Sequence, residues 1–161
     1  MKTNYLLPHQ FKRIGWIIFV PAMLLGIFFF ASEVDPPFLN IHVFAFFDDG
    51  AIFNGDEDVI FGITKNNIFD ELIGLSLIVS MVFIAFSRQK NEDEFIAKIR
   101  LESLVWATYV NYAILLIAIL FVYGMAFFWI MVFNMFTILL FFIIRFNWAL
   151  YKSNNTLKHE K

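Results

Sequence analysis

SRQKNEDEFIAKIRLESLVWATYVNYAILLIAILFVYGMAFFWIMVFNMFTILLFFIIRFNWALYK, residues 87–152, contains two long apolar runs joined at one glycine, Gly124. A bilayer core of about 30 Å takes roughly 20 apolar residues per helix. Ser103–Tyr123 and Met125–Ile144 reach that length, and neither holds an Asp, Glu, Lys, Arg or His. Gly124 suits a tight reversal because it has no Cβ. Arg88, Lys90, Lys98 and Arg100 precede the first run, and Arg145, Lys152, Lys158 and Lys161 follow the second. Folding about Gly124 brings these two basic clusters to one end.

Working outward, Ile14–Ala31 and Leu72–Phe86 are two further apolar stretches. The latter is only 15 residues between flanking charges. It spans if Ile68 and Phe69 lead in and Ser87 closes it, with Asp70 and Glu71 in the headgroup layer. At 161 residues, 60% hydrophobic content and a mean hydropathy of +0.72, the chain is too apolar for an ordinary soluble domain. The expectation is an all-α membrane protein forming one domain over 1–161: a four-transmembrane-helix bundle with a small β-hairpin-like extracytoplasmic insertion. The spans fall at about 14–31, 68–87, 103–123 and 125–144, and the outer loop covers 32–67. Lys12 and Arg13 before the first span suggest a signal peptide. Phe28, Phe29 and Phe30 before Ala31 supply no small-residue cleavage site, so a retained anchor is expected. The chain has no cysteine, which removes disulfides, thiolate metal sites and iron–sulfur clusters.

Nine acidic residues lie between Ser32 and Glu71, opposed by Lys65 alone. Lys2, Lys12 and Arg13 precede the first span. By the positive-inside rule every basic cluster faces the cytoplasm, so both termini are expected inside and residues 32–67 outside, in a cell membrane of the bacterial inner type. Trp16, Trp106 and Trp148 near the basic ends of their spans, with Tyr123 and Trp129 near the opposite ends, mark the two headgroup layers.

Pro21 should kink the first helix. Ala22 with Gly26, and Ser76 with Ser80, form small-xxx-small pairs that mark the expected packed faces of the first two helices. Past Pro36 and Pro37, FLNIHVFAFF at 38–47 alternates, DDG and NG signal turns, and VIFGIT at 59–64 reads as a second strand. Such a hairpin would rest on the outer membrane surface, a re-entrant segment being the alternative. Asn67 and Asn91 are the expected helix caps, with Glu94 paired to Lys98. The third helix is expected over Glu92–Tyr123.

Ionisable groups at membrane depth mark proton relays and transport sites. Here the apolar cores of the spans contain none, and His9, His42 and His159 lie outside the spans, which argues against proton-coupled transport, intramembrane haem and metalloprotease chemistry. Asn111, Asn134 and Thr137 remain as a mid-membrane polar cluster: interhelical glue, or the lining of a path for a small solute. DDGAIFNGDED imitates the first half of a calcium loop, but Val59 stands where such a loop needs Gly and Lys65 where it needs Glu. No catalytic, cofactor or metal residue is assigned, and no cofactor is expected. Phe95, Ile96 and Ile99 form an apolar stripe suited to a protein partner, or to the chain's own helices.

FIAKIRLESLVWATYVNYAILLIAILFVYG (95–124) and NMFTILLFFIIRFNWALYK (134–152) resemble a group of small bacterial four-span membrane proteins without an assigned activity. The likeness covers about a third of the chain and rests on the arginine-free span after Arg100 and the Arg145–Lys152 tail. Members of that group are sometimes encoded beside small helix-turn-helix regulators, so the resemblance implies a membrane location and a regulatory association, and carries no site residue. The expected function is non-catalytic: a regulatory or sensory component, or an accessory subunit of a membrane complex. The alternative is a small oligomeric transporter or channel. Expected partners are the lipid bilayer and a protein or second copy of the chain, with no nucleic acid.

Overall fold

A computed structural model describes residues 6–32, 39–48, 59–90 and 92–159. In chain order the elements are α1 (Gln10–Ser32), β1 (Asn40–Asp48), β2 (Val59–Asn67), α2 (Phe69–Phe86), α3 (Glu94–Phe121) and α4 (Met125–His159). The protein is therefore mostly helical, with one small two-stranded antiparallel sheet. Among the described residues four helices are long and apolar enough to cross a membrane. The chain divides into two compact units, Met1–Val20 with Leu77–Lys161, and Pro21–Ser76.

The core of the first unit is built from α2, α3 and α4. Met81, Ile84 and Ala85 of α2 pack with Ile99 and Ala107 of α3 and with Phe142, Ile143 and Phe146 of α4. Phe142 stacks on Phe86 at 6.0 Å and on Phe146 at 5.7 Å between ring centroids. The i, i+4 spacing of Phe142 and Phe146 puts both rings on one face. Ala149 and Leu150 pack against the same core, and no Pro or Gly interrupts residues 145–159. These features explain why α4 continues well past Ile144 to a length of 35 residues.

α3 has 28 residues, or about 42 Å at 1.5 Å each, and starts later than expected. Its cap is Asp93, whose side chain accepts from the Ile96 N–H at 2.8 Å. Asn91, the expected cap, lies outside the described residues. Glu92 stays outside the helix because its carboxylate is engaged elsewhere, with the Gln89 N–H and Arg100. Lys98 pairs with Glu102, one turn on, at 3.9 Å.

The α3–α4 reversal uses Gly124 at φ 68°. The Phe127 N–H donates to Gly124 O at 3.1 Å, opening α4. A Cβ at Gly124 would meet nothing within 4 Å, so the position is set by backbone angle and not by space. Gly124→Ala is expected to cost about 1 kcal/mol from its left-handed conformation, and Gly124→Asn less. Thermal unfolding of the two variants in detergent would check that order.

In the second unit β1 and β2 pair antiparallel from Asn40↔Asn67 to Asp48↔Val59. His42 lies opposite Lys65, and Phe44 opposite Ile63. Phe61 takes a positive φ of 53°, and its ring meets Phe46 edge-on at 5.4 Å. One residue, Ile68, separates β2 from α2. The expected cap is in place there: the Phe69 N–H donates to Asn67 Oδ1 at 3.1 Å, and Asn66 Nδ2 to Glu71 Oε1 at 2.9 Å. Phe29 of α1 meets Phe69 at 4.4 Å.

Candidate functional site

The mid-helix amides lie on facing turns of α3 and α4, reached by folding the chain about Gly124. Asn111 Nδ2 donates to Asn134 Oδ1 at 3.4 Å, and Asn134 Nδ2 returns a bond to Asn111 Oδ1 at 3.3 Å. Asn111 is buried. Thr137, on the same face of α4 as Asn134, donates its hydroxyl to Phe133 O at 2.8 Å, in its own helix. Two of the three residues thus form a reciprocal amide pair, and the third satisfies its own backbone.

The small-residue positions are distributed differently. Ala22 is buried, and a Cβ at Gly26 would stand 3.2 Å from Ile73 Cγ2. Ser80 is fully buried and donates to Leu77 O at 3.0 Å, while Ser76 is half-buried. The tightest approach is at Gly15. A Cβ there would fall 2.9 Å from Ser80 O and 2.8 Å from Ile84 Cγ1. In the stripe at the start of α3, Ile99 is buried and Ile96 packs against the core, whereas Phe95 is 55% exposed.

The strongest concentration of polar chemistry is at the basic end of the first unit. Arg100, on α3, donates from its Nη2 to both oxygens of Glu92 at 2.9 and 3.0 Å. The two side chains are only 12% and 20% exposed. Arg100 Nη1 donates to Ala85 O at 3.1 Å and Ser87 O at 3.3 Å, carbonyls at the C-terminus of α2. A cation is favoured there because the last carbonyls of a helix are unpaired and carry partial negative charge. The guanidinium also lies 4.9 Å from the centre of the Phe146 ring on α4. One side chain therefore ties α2, the 87–93 link, α3 and α4.

Lys12 of α1 joins the same region, donating to Gln89 Oε1 at 3.2 Å and Asn147 Oδ1 at 3.4 Å. The segment before α1 is fixed by a parallel bridge: the Leu7 N–H donates to Phe86 O, and the Arg88 N–H to Leu7 O, both at 2.9 Å. His9 Nδ1 donates to Arg88 O at 3.0 Å, the carbonyl being able only to accept. Ser87 is buried and donates to Phe83 O. Gln89 Nε2 and Arg100 Nε are buried without a hydrogen-bond partner among the described residues.

This tie can hold helix ends in register. Its carboxylate, Glu92, is already engaged by both Arg100 and the Gln89 N–H. Its members come from Lys12, residues 87–100 and Asn147, so no local motif marks them. The signal available in the sequence was two bases, Lys12 and Arg100, beside runs that must be buried. His42 is exposed on the hairpin. Among the described residues no three of His, Cys, Asp and Glu gather closely enough to hold a metal ion. The acidic turn at 49–58, with its partial calcium pattern, lies outside the described residues. Comparison with protein-family models, with curated proteins and with solved structures found no match to this chain.

Proposed function

We propose that the chain is a non-catalytic integral membrane protein, a four-helix bundle acting as a regulatory or sensory component or as an accessory subunit of a larger complex. The carrying observation is a cluster of large apolar side chains outside the four helices. On the hairpin Phe44, Phe46, Phe61 and Ile63 are 60%, 69%, 68% and 71% exposed. Phe46 meets Phe44 and Phe61 edge-on, each at 5.4 Å. Grouped exposed aromatics mark an interaction surface. Phe95 offers a second one at the basic end. The asymmetry of Lys and Arg supports both termini in the cytoplasm and residues 32–67 outside, in a bacterial inner membrane. The likeness to small bacterial four-span proteins agrees with that placement.

Photo-crosslinkers placed at Phe46 and Phe95 in native membranes test the reading. The expected result is a discrete protein adduct from at least one position, retained in mild detergent at fixed stoichiometry. Lipid adducts alone from both, with the chain extracted as a lone monomer, would reject it.

The second reading, a small oligomeric transporter or channel, has the Asn111–Asn134 pair in its favour. It predicts liposome flux that the Asn111→Leu/Thr137→Val double variant abolishes. As glue the pair is worth only about 0.6 kcal/mol, so the variant should still fold. Flux equal to that of the parent removes the site assignment.

A further inference from the structure

The geometry points to an anionic phospholipid site on α3 and α4, with a headgroup phosphate on Arg145 and an acyl chain along Val105 and Tyr109. It rests on the membrane placement proposed above. A groove of about 410 Å³ is lined by Leu101, Glu102, Val105, Trp106, Tyr109 and Arg145. The α3 members recur at i, i+4 and i+8 (101, 105, 109), one stripe about 12 Å long. Leu101 is 63% exposed and Tyr109 73%.

Arg145 sits at the level where a headgroup belongs. Its guanidinium lies 5.2 Å from the centre of the Trp106 ring and 5.3 Å from that of Trp148. Indoles prefer the boundary between hydrocarbon and headgroups, so the two rings fix the depth of the cation they hold. Among the described residues the Arg145 guanidinium makes no ion pair or hydrogen bond to the protein beside its two ring contacts, so its N–H edge has no protein oxygen on it. That edge can give two parallel bonds to phosphate oxygens. Lys152, two turns past Arg145, lies 5.8 Å over the same Trp148 ring. Glu102, the one acid in the lining, is paired with Lys98. The lining thus holds one cation, Arg145, and one acid, Glu102, whose charge Lys98 offsets. Basic pockets on helices at a cytoplasmic surface bind anionic headgroups by this means. Deeper along α3 the wall is Val105 and Tyr109, apolar or aromatic and open outward, as an acyl chain needs.

The test uses the full chain with Trp16→Phe and Trp129→Phe, so that Trp106 and Trp148 alone report, reconstituted in phosphatidylcholine vesicles. Trace brominated phosphatidylglycerol should quench fluorescence more than brominated phosphatidylcholine at equal mole fraction. Arg145→Gln should reduce that preference by about fivefold, the effect of one cation near an anionic surface. Arg145→Lys should keep part of it, and Glu102→Gln should increase it. Equal quenching by the two lipids, an unchanged preference in Arg145→Gln, or no gain in Glu102→Gln would overturn the site. Glycerophosphate added in excess should leave the quenching intact; relief of quenching would assign the cation to soluble phosphate and overturn the lipid. Failure of the protein to float with vesicles would overturn the membrane placement together with the site. Flotation with equal quenching would overturn the site alone.

Discussion

Arg100→Gln is expected to lower stability in mild detergent by about 3 kcal/mol, the lower end for breaking a buried ion pair. The wild-type guanidinium spends its donors on Glu92 Oε1 and Oε2 and on the carbonyls of Ala85 and Ser87. Removing it leaves the Glu92 carboxylate largely buried, with the Gln89 N–H as its remaining partner among the described residues. It also strips the C-terminus of α2 of its countercharge, and Phe146 of its cation. Arg100→Lys keeps the charge but loses the fork that reaches carboxylate and carbonyls together, so its loss should be intermediate. Arg100→Met with Glu92→Leu removes both charges and should recover much of the loss, because an ion pair replaced by apolar side chains is often near neutral. Unfolding of the four proteins by heat or SDS decides the matter. Were Arg100→Gln as stable as the parent, the network would be a surface feature and not the tie described here.

The helices were legible because their signal is local and repeated. Runs of about 20 apolar residues without a charge allow little else in a chain this hydrophobic. Even the short second run reaches 18 residues as Phe69–Phe86, with Asp70 and Glu71 in its first turn as read. Alternation in 38–47 and 59–64 was enough for the hairpin, and Asn67 for the cap of α2. What escaped depends on partners distant in sequence. NEDE at 91–94 offers several possible caps, and the choice of Asp93 follows from Glu92 being held by Arg100, a contact no local pattern announces. Thr137 shares a face with Asn134, but a threonine hydroxyl can reach the carbonyl four residues back, and here it does. The apolar stripe at 95–99 is turned inward at Ile99, leaving Phe95 as its exposed member. Lys12, Gln89, Arg100 and Asn147 converge only after three helix reversals.

Gly15→Ala is expected to destabilise the protein by about 2 kcal/mol, within the range for forcing a methyl into a closed contact. The sign is the informative part. In an exposed helix interior the same change would stabilise, since Gly is about 1 kcal/mol poorer than Ala there. At Gly15 the added Cβ would lie 2.9 Å from Ser80 O and 3.1 Å from Ile84 N, both backbone atoms, and 2.8 Å from Ile84 Cγ1. A side chain can rotate away, but the backbone of α2 moves only if the helix moves. Measured against Ile84→Ala, which removes the Cγ1 atom, adding Gly15→Ala should therefore still cost most of the loss, because the oxygen of residue 80 remains. Gly26→Ala supplies the contrast. Its single close neighbour is the side-chain methyl Ile73 Cγ2 at 3.2 Å, so that change should be near neutral, within about 0.5 kcal/mol. Sequence spacing favours Gly26, which has Ala22 one turn away, over Gly15, which has Phe19. The measured order of the two alanine variants thus separates packing through a backbone contact from packing through a small-residue pair. Equal effects at both positions would show that α1 and α2 do not approach most closely at Gly15 and Ser80.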